Sequence, residues 1–337
     1  MEENLRFAAD RVRDARGNSA LGDDAQTFGE EVVLHFIGGV HRPMFQHYVR
    51  YALSSKERGA ALVQRYSVGT DIRAYLDVGC AYGGCPIAMA VQGVPRAVGI
   101  EIDSRLLKLA RSLAKHENVA DSVDLRHGDL TKEADIVSLG TFDLVTCLDV
   151  LEHVLEPRTA IKHLARLTEP GGTLVVDVPN LYSHARIRQD PHHKIFGSVL
   201  LNRDDAIRVF EDWGGHRKHY GVGYFYPLEW YIGELSKVGF EVEVLDKPSD
   251  SPEDVRNTLH GLHGLRDELT SASTNWPQWR TKLVSTALDA FFAQMPDLRA
   301  SAEDDPAQFQ LRHAVETYHL KCRREAAVRE APQSAAK

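Results

Sequence analysis

The 337-residue sequence predicts an α/β fold: a doubly wound, mostly parallel sheet with helical additions at both ends. Three observations carry the prediction. Tyr75-Leu76-Asp77-Val78-Gly79-Cys80-Ala81-Tyr82-Gly83-Gly84 is an apolar run ending in a glycine-rich turn, and a helix-compatible stretch from Pro86 to Gln92 follows. A second apolar run, Ala97-Val98-Gly99-Ile100, ends on an acid, Glu101, 22 residues beyond Gly79. Strand-like and helix-like segments then alternate to about residue 180, as in a parallel sheet with helices on both faces. In such a sheet, ligands sit at the carboxyl ends of the strands where strand order reverses.

Residues 1–70 read as an N-terminal helical cap. Val32, Val33, Phe36 and Ile37 share one helical face, which Gly38-Gly39 ends. The segment from Met44 to Leu53 carries Phe45, Tyr48 and Tyr51, and a third helix is predicted from Lys56 to Tyr66. His35, His41 and His47 read as polar surface groups. The core spans residues 71–247, with strands at 73–78, 97–102, 123–127, 142–148 and 172–178. Its helices fall near 85–92, 104–116 and 157–167, the last opening on Pro157, a residue suited to a first helical turn. Pro227 opens a further helix through Val238, Gly239 caps it, and 240–245 alternates as a strand.

Between these, residues 181–226 lose the pattern and read as an insert. It holds His184, His192, His193, His216 and His219, and seven Lys or Arg against five acids. A lid for an anionic substrate and a solvated loop are equal readings of this local basic patch. Residues 248–337 read as a helical segment. Val255, Leu259, Leu262, Leu265 and Leu269 form an apolar stripe that packs on the core or on a second copy in a homodimer. Another helix runs from about Pro277 to Met295, and one more starts with Asp305 as cap and Pro306 in the first turn. The tail after Glu330 reads as disordered.

Composition narrows the function classes. No apolar run reaches the length of a membrane span, and Met-Glu-Glu-Asn lacks the pattern of a signal peptide, so a cytoplasmic protein is expected. The four cysteines, Cys80, Cys85, Cys147 and Cys322, form no metal knuckle and read as reduced thiols. A formal charge of −8 argues against a nucleic-acid surface. The glycine loop lacks Gly-Lys-Ser/Thr, which excludes a P-loop.

Three further segments complete an ordered set: His127-Gly128-Asp129, the run from Phe142 through Asp149-Val150-Leu151-Glu152-His153-Val154, and Pro170-Gly171-Gly172-Thr173-Leu174 through Asn180. In this order and spacing the set resembles class I S-adenosylmethionine-dependent methyltransferases, over about Arg73 to Leu245. A nicotinamide dehydrogenase would share the loop and the acid but not the last two segments. The chain departs from many members at Ala81, where they carry a second glycine.

The resemblance implies a Rossmann-like fold, S-adenosylmethionine as cofactor and a small-molecule acceptor, methylated on oxygen. It implies that Asp77, Gly79, Cys80, Ala81 and Gly83 surround the amino-acid part of the cofactor. Glu101, with Ile102 beside it, would hold the ribose hydroxyls, and Asp129 with Leu130 the adenine. Cys147, Leu148 and Asp149 would lie near the methionine portion. His153, with His219 and behind it His216 or His193, is expected to face the acceptor as base or orienting group. A related pattern binds a divalent ion in some members, including ubiquinone-pathway O-methyltransferases and small-RNA 2′-O-methyltransferases. Asp149, Glu152, His153 and His219 would form that set here, but the reading without metal is preferred. The rivals are transfer to sulfur, nitrogen or carbon, RNA-end methylation, and a non-catalytic cofactor-binding scaffold.

Overall fold

The computed structural model describes residues 29, 31–32, 49–67, 71–295 and 297–326. The expected helical positions Val33, Phe36 and Ile37, the Gly38-Gly39 break, Phe45, Tyr48, the three N-terminal histidines and the tail after Glu330 lie outside them.

The core elements follow the predicted alternation. In chain order they are α1 (Ser55–Ser67), β1 (Ala74–Val78), α2 (Gly84–Val91), β2 (Arg96–Glu101), α3 (Ser104–His116), β3 (Val123–His127), α4 (Glu133–Ile136), β4 (Phe142–Leu148), α5 (Pro157–Leu167) and β5 (Thr168–Pro179). The insert contributes α6 (His184–Arg188) and α7 (Arg203–Asp212), and α8 (Leu228–Lys237) leads into β6 (Phe240–Val244). Then come α9 (Pro252–Ala272), α10 (Gln278–Ala293), α11 (Leu298–Asp304), α12 (Pro306–His313) and β7 (Thr317–Arg324). The sheet order is β3-β2-β1-β4-β5-β7-β6. This is the dinucleotide-binding order with one further strand between β5 and β6. The pairs β1–β2, β2–β3 and β1–β4 are parallel. Strand order reverses at β1, where Val78 partners Ile100 on one side and Cys147 on the other.

β7 departs from the helical segment expected over residues 248–337. Tyr318, Leu320 and Cys322 are buried and alternate with less buried neighbours, the period of a strand with one covered face. Yet 72 residues of mostly helical chain separate it from β6, so nothing local ties it to the sheet.

The chain divides into two compact units. The first comprises the described residues up to Cys147, His163–Val175 and the described residues from Arg324. Within it α1 and α2 cross in backbone contact. A Cβ on Gly59 would lie 2.3 Å from the Gly84 carbonyl carbon, and one on Gly84 would lie 2.1 Å from the Ser55 carbonyl oxygen. α3 is amphipathic for a simple reason: Asp103 caps its start by accepting from the Arg105 N–H, and Leu107, Ala110, Leu113 and Ala114 fall on its buried face.

The second unit comprises Leu148–Lys162 and Val176–Arg323. Its core gathers Val255, Leu262 and Leu265 of α9 with Val284, Leu288 and Phe291 of α10 and Phe309 of α12. The apolar stripe is therefore covered within the chain, with Leu259 and Leu269 at its partly buried margin. The insert has a small core of its own in Ala206, Ile207, Tyr220 and Val222. Five of its seven basic side chains are engaged inside this unit. Arg186 donates to Thr317, Arg188 to Glu268, Arg203 to the Val222 carbonyl and Arg217 to Glu211, while Arg208 covers the Trp279 ring.

Candidate active site

In the first unit, the residues after β1 form a cradle. The N–H groups of Gly79 and Cys80 both donate to the Ile100 carbonyl, at 2.9 and 3.0 Å, which folds the loop onto the end of β2. The turn needs left-handed backbone at three places: φ is 73° at Gly79, 46° at Ala81 and 76° at Gly83. Glycine accepts this without strain, but alanine does not. The compensation at Ala81 is visible. Its N–H donates to the Glu101 carboxylate at 2.9 Å, and the other carboxylate oxygen accepts from the Asp103 N–H at 2.8 Å. Glu101 is 6 % exposed, so the departure from glycine is held by a charge-assisted hydrogen bond to a buried acid.

Asp77 lies beneath this loop, buried. The Thr146 hydroxyl donates to it at 2.6 Å, and the Tyr75 hydroxyl lies 2.6 Å from Thr146. Burial pushes the Asp77 carboxyl up to about 7; the Thr146 hydrogen bond opposes this, and the Glu101 charge adds to it. The folded chain therefore holds this proton more tightly than the unfolded chain. The stability it contributes is complete below about pH 4 and is lost as pH rises through 7. Urea unfolding of wild type and Asp77→Asn at pH 5 and pH 8 checks this. The wild type is expected to lose about 2–3 kcal/mol more than the variant between the two. Equal losses would show that Asp77 titrates normally.

Asp129 accepts from the Thr131 N–H and hydroxyl at 2.9 and 2.7 Å, and Lys132 is 3.4 Å away. Burial would raise this carboxyl, but these donors hold it below its usual range. Leu130 is buried, and its carbonyl accepts from His163 Nδ1 at 2.6 Å. Ile102 is the opposite case, an apolar side chain 59 % exposed directly after Glu101. The cradle fits an adenosyl ligand. Each Glu101 oxygen accepts one N–H, and a carboxylate oxygen can accept a second hydrogen bond.

In the second unit, the residues after β4 form a cluster of acids and imidazoles. Leu148 is half-buried. Asp149 adopts φ 54°, a left-handed conformation that aspartate tolerates better than most residues, and its N–H donates to the Asp177 carbonyl at 3.3 Å. Asp149 is exposed at the surface, yet partial desolvation of its carboxyl raises it, against Arg186, His153 and His319. Glu152 is 1 % exposed, and its Oε2 has no hydrogen-bond partner. Burial, then the Asp149 charge, pushes it up to about 8. The Glu152 carbonyl accepts from the Gly223 and Tyr224 N–H groups at 2.6 and 3.3 Å, which ties the end of the insert to this turn. Only glycine serves at 223, where a Cβ would meet the Val154 carbonyl oxygen at 2.4 Å.

His153 Nδ1 donates to the Gly221 carbonyl at 2.8 Å, which leaves Nε2 as its lone-pair nitrogen. Its ring meets His192 edge to face, with centroids 4.8 Å apart. His192 Nδ1 is buried without a partner, and burial, then His153, brings the imidazole down to about 3. Glu152, His153 and His192 each offer one ligand atom, all within 4.8 Å of one another. His192, rather than the expected His219, is the insert histidine grouped with Glu152 and His153. His216 and His219 lie on the exposed turn Arg217–His219 and its cap, with rings 5.7 Å apart. His193 is stacked on Tyr220 at 4.8 Å and against Phe210 at 4.4 Å. A further imidazole was not singled out in the sequence: His319 Nδ1 lies 2.7 Å from Asp246, and its Nε2 lies 3.9 Å from Asp177. His319 sits on the strand that sequence reasoning did not find.

Known proteins bear on both halves. Residues 45–245 match the family model described as a methyltransferase domain. A ubiquinone biosynthesis O-methyltransferase of Paracidovorax citrulli is 38% identical over 101 residues, 30% of this chain and 41% of that protein. The enzyme of the same name from Thiobacillus denitrificans is 42% identical over 100 residues, 29% of this chain and 40% of that one. The chain thus matches about two-fifths of the length of these curated relatives. The solved phosphoethanolamine N-methyltransferase 2 of Haemonchus contortus, in complex with S-adenosyl-L-methionine, covers 80% of this chain and 53% of its own at 14% identity and a TM-score of 0.42. No helix among the described residues is long and apolar enough to cross a membrane. With the family model spanning more than half of its length, the chain belongs to the methyltransferase-domain family.

Proposed function

We propose that the chain transfers a methyl group from S-adenosylmethionine to an oxygen of a small molecule, with a divalent ion assisting. The observation that carries the transferase reading is the buried Glu101 carboxylate latched to the Ala81 N–H at the head of the cradle. Bound there, S-adenosylmethionine supplies a methyl group already activated by a positive sulfur. Glu101 would accept from the ribose hydroxyls, Asp77 and the loop from Gly79 to Gly83 would take the amino-acid end, and Asp129 with Leu130 would take the adenine. The chain's task is then to hold reactants close and in line. An oxygen acceptor is favoured by the names of the relatives quoted above, and the overall negative charge disfavours an RNA substrate.

The metal reading rests on Glu152, His153 and His192. A buried carboxyl that lacks a counter-charge and a half-buried imidazole held neutral, each with an unpartnered atom, are what a divalent cation accepts as ligands. A carboxylate and two imidazoles suit zinc, iron or manganese, and donation from His153 Nδ1 to the Gly221 carbonyl orients the ring as in a ligating histidine. A divalent ion there would lower the pKa of an acceptor hydroxyl. Labelled S-adenosylmethionine, incubated with phenols and catechols with and without a chelator, tests both statements. Label is expected in an O-methyl product, lost on chelation and restored by a divalent ion. Label transfer that survives chelation would remove the metal, and tight NAD binding without label transfer would remove the transferase.

A further inference from the structure

The imidazole of His192 comes from the insert, and one buried acid fixes it. Asp190 is 1 % exposed. One of its oxygens accepts from the His192 and His193 N–H groups, at 2.9 and 2.8 Å. The other accepts from the Ile195 N–H at 2.8 Å and the Ser198 hydroxyl at 3.0 Å. Its own carbonyl accepts from the Lys194 N–H at 3.1 Å, and Lys194 takes φ 61° to complete the turn. Four donors on one carboxylate leave the backbone of residues 192–195 almost no freedom. The far end of the loop is equally fixed. The Gly197 N–H donates to the Ile187 carbonyl at 2.7 Å, and a Cβ on Gly197 would lie 2.6 Å from Val284 Cγ1.

We propose that Asp190 is the positioning residue of the metal site: it holds the turn that delivers the His192 imidazole to Glu152 and His153. This rests on the metal reading above. A loop that only needed closing could end on any turn. This one places a ring nitrogen of His192 within 4.8 Å of ligand atoms of Glu152 and His153, while its neighbour His193 is turned away onto Tyr220 and Phe210. Neutralising Asp190 removes an acceptor from the Ile195 and Ser198 side and frees the turn, so the third ligand is no longer pre-set. Outer-shell partners of metal ligands are typically worth about 10–100-fold in affinity.

The test uses the full-length chain and cobalt(II), followed by its visible spectrum and by calorimetry. Wild type is expected to bind one cobalt with a d–d spectrum characteristic of mixed nitrogen and oxygen ligands. Asp190→Asn is expected to bind about 10–100-fold more weakly, and His192→Ala by a similar factor. Because Asp190 acts through His192, the double variant should bind no more weakly than His192→Ala alone. Ser198→Ala, which removes one donor, should lose several-fold and serves if Asp190→Asn does not fold. Losses that add in the double variant, or wild-type affinity in Asp190→Asn, would overturn the positioning role while the metal site stands. Absence of cobalt binding by the folded wild type would overturn both.

Discussion

Leu262→Asp is expected to unfold the second unit under conditions where the wild type is stable. Leu262 is fully buried among Leu265, Val284, Leu288 and Phe291, so the substitution deletes a core side chain and puts an unpaired carboxylate in its place. The lost packing alone costs about 2–5 kcal/mol, as Leu262→Ala should show, and the buried charge adds several more. That sum is comparable with the whole stability of a domain. Urea titration followed by circular dichroism measures it. Leu155→Asp is the control: Leu155 is 58 % exposed, and its replacement should stay within about 0.5 kcal/mol of wild type. An unchanged unfolding midpoint for Leu262→Asp would contradict the packing described for α9.

Glu152→Gln and His153→Ala are expected to slow single-turnover methylation by about 100-fold or more without changing cofactor affinity. Both remove a ligand atom from the cluster with His192, and neither belongs to the cradle. His219→Ala separates this account from a base on the exposed turn and should turn over at the wild-type rate. If Glu152→Gln and His153→Ala also work at that rate without added metal, the cluster is a bystander and the enzyme acts by alignment alone. If His219→Ala is the slow variant, the proton acceptor lies on the turn Arg217–His219 instead.

The core of the fold was legible because its signals are local. Three of the predicted helices and all five core strands lie within a few residues of the observed α2, α3, α5 and β1 to β5. Each has its own periodicity, cap or glycine to mark it. The acid at the end of β2 was legible for the same reason, since its distance from the first glycine follows from one strand–helix–strand unit. Two things were not legible. β7 carries the right alternation at Tyr318, Leu320 and Cys322, but its partners in the sheet are set by tertiary folding over a long helical segment. The grouping of His192 with Glu152 and His153 was the other. Five histidines in the insert look alike in sequence, and His219 is no better marked than His192. The Asp190 turn brings His192 beside Glu152 and His153 through four hydrogen bonds that no periodicity announces. The stripe on α9 was legible as a stripe, whereas what covers it became clear only with α10 and α12 in place.

Calorimetry on wild type and Glu101→Ala decides whether the first unit's cradle takes S-adenosylmethionine through Glu101. Glu101 anchors Ala81 and Asp103 and retains acceptor capacity for two hydroxyl groups. Its loss should cost about 2–3 kcal/mol, so the variant is expected to bind S-adenosylmethionine about 30- to 150-fold more weakly, with its fold intact by circular dichroism. Wild-type affinity in Glu101→Ala, or tighter binding of NAD than of S-adenosylmethionine by the wild type, would contradict the account.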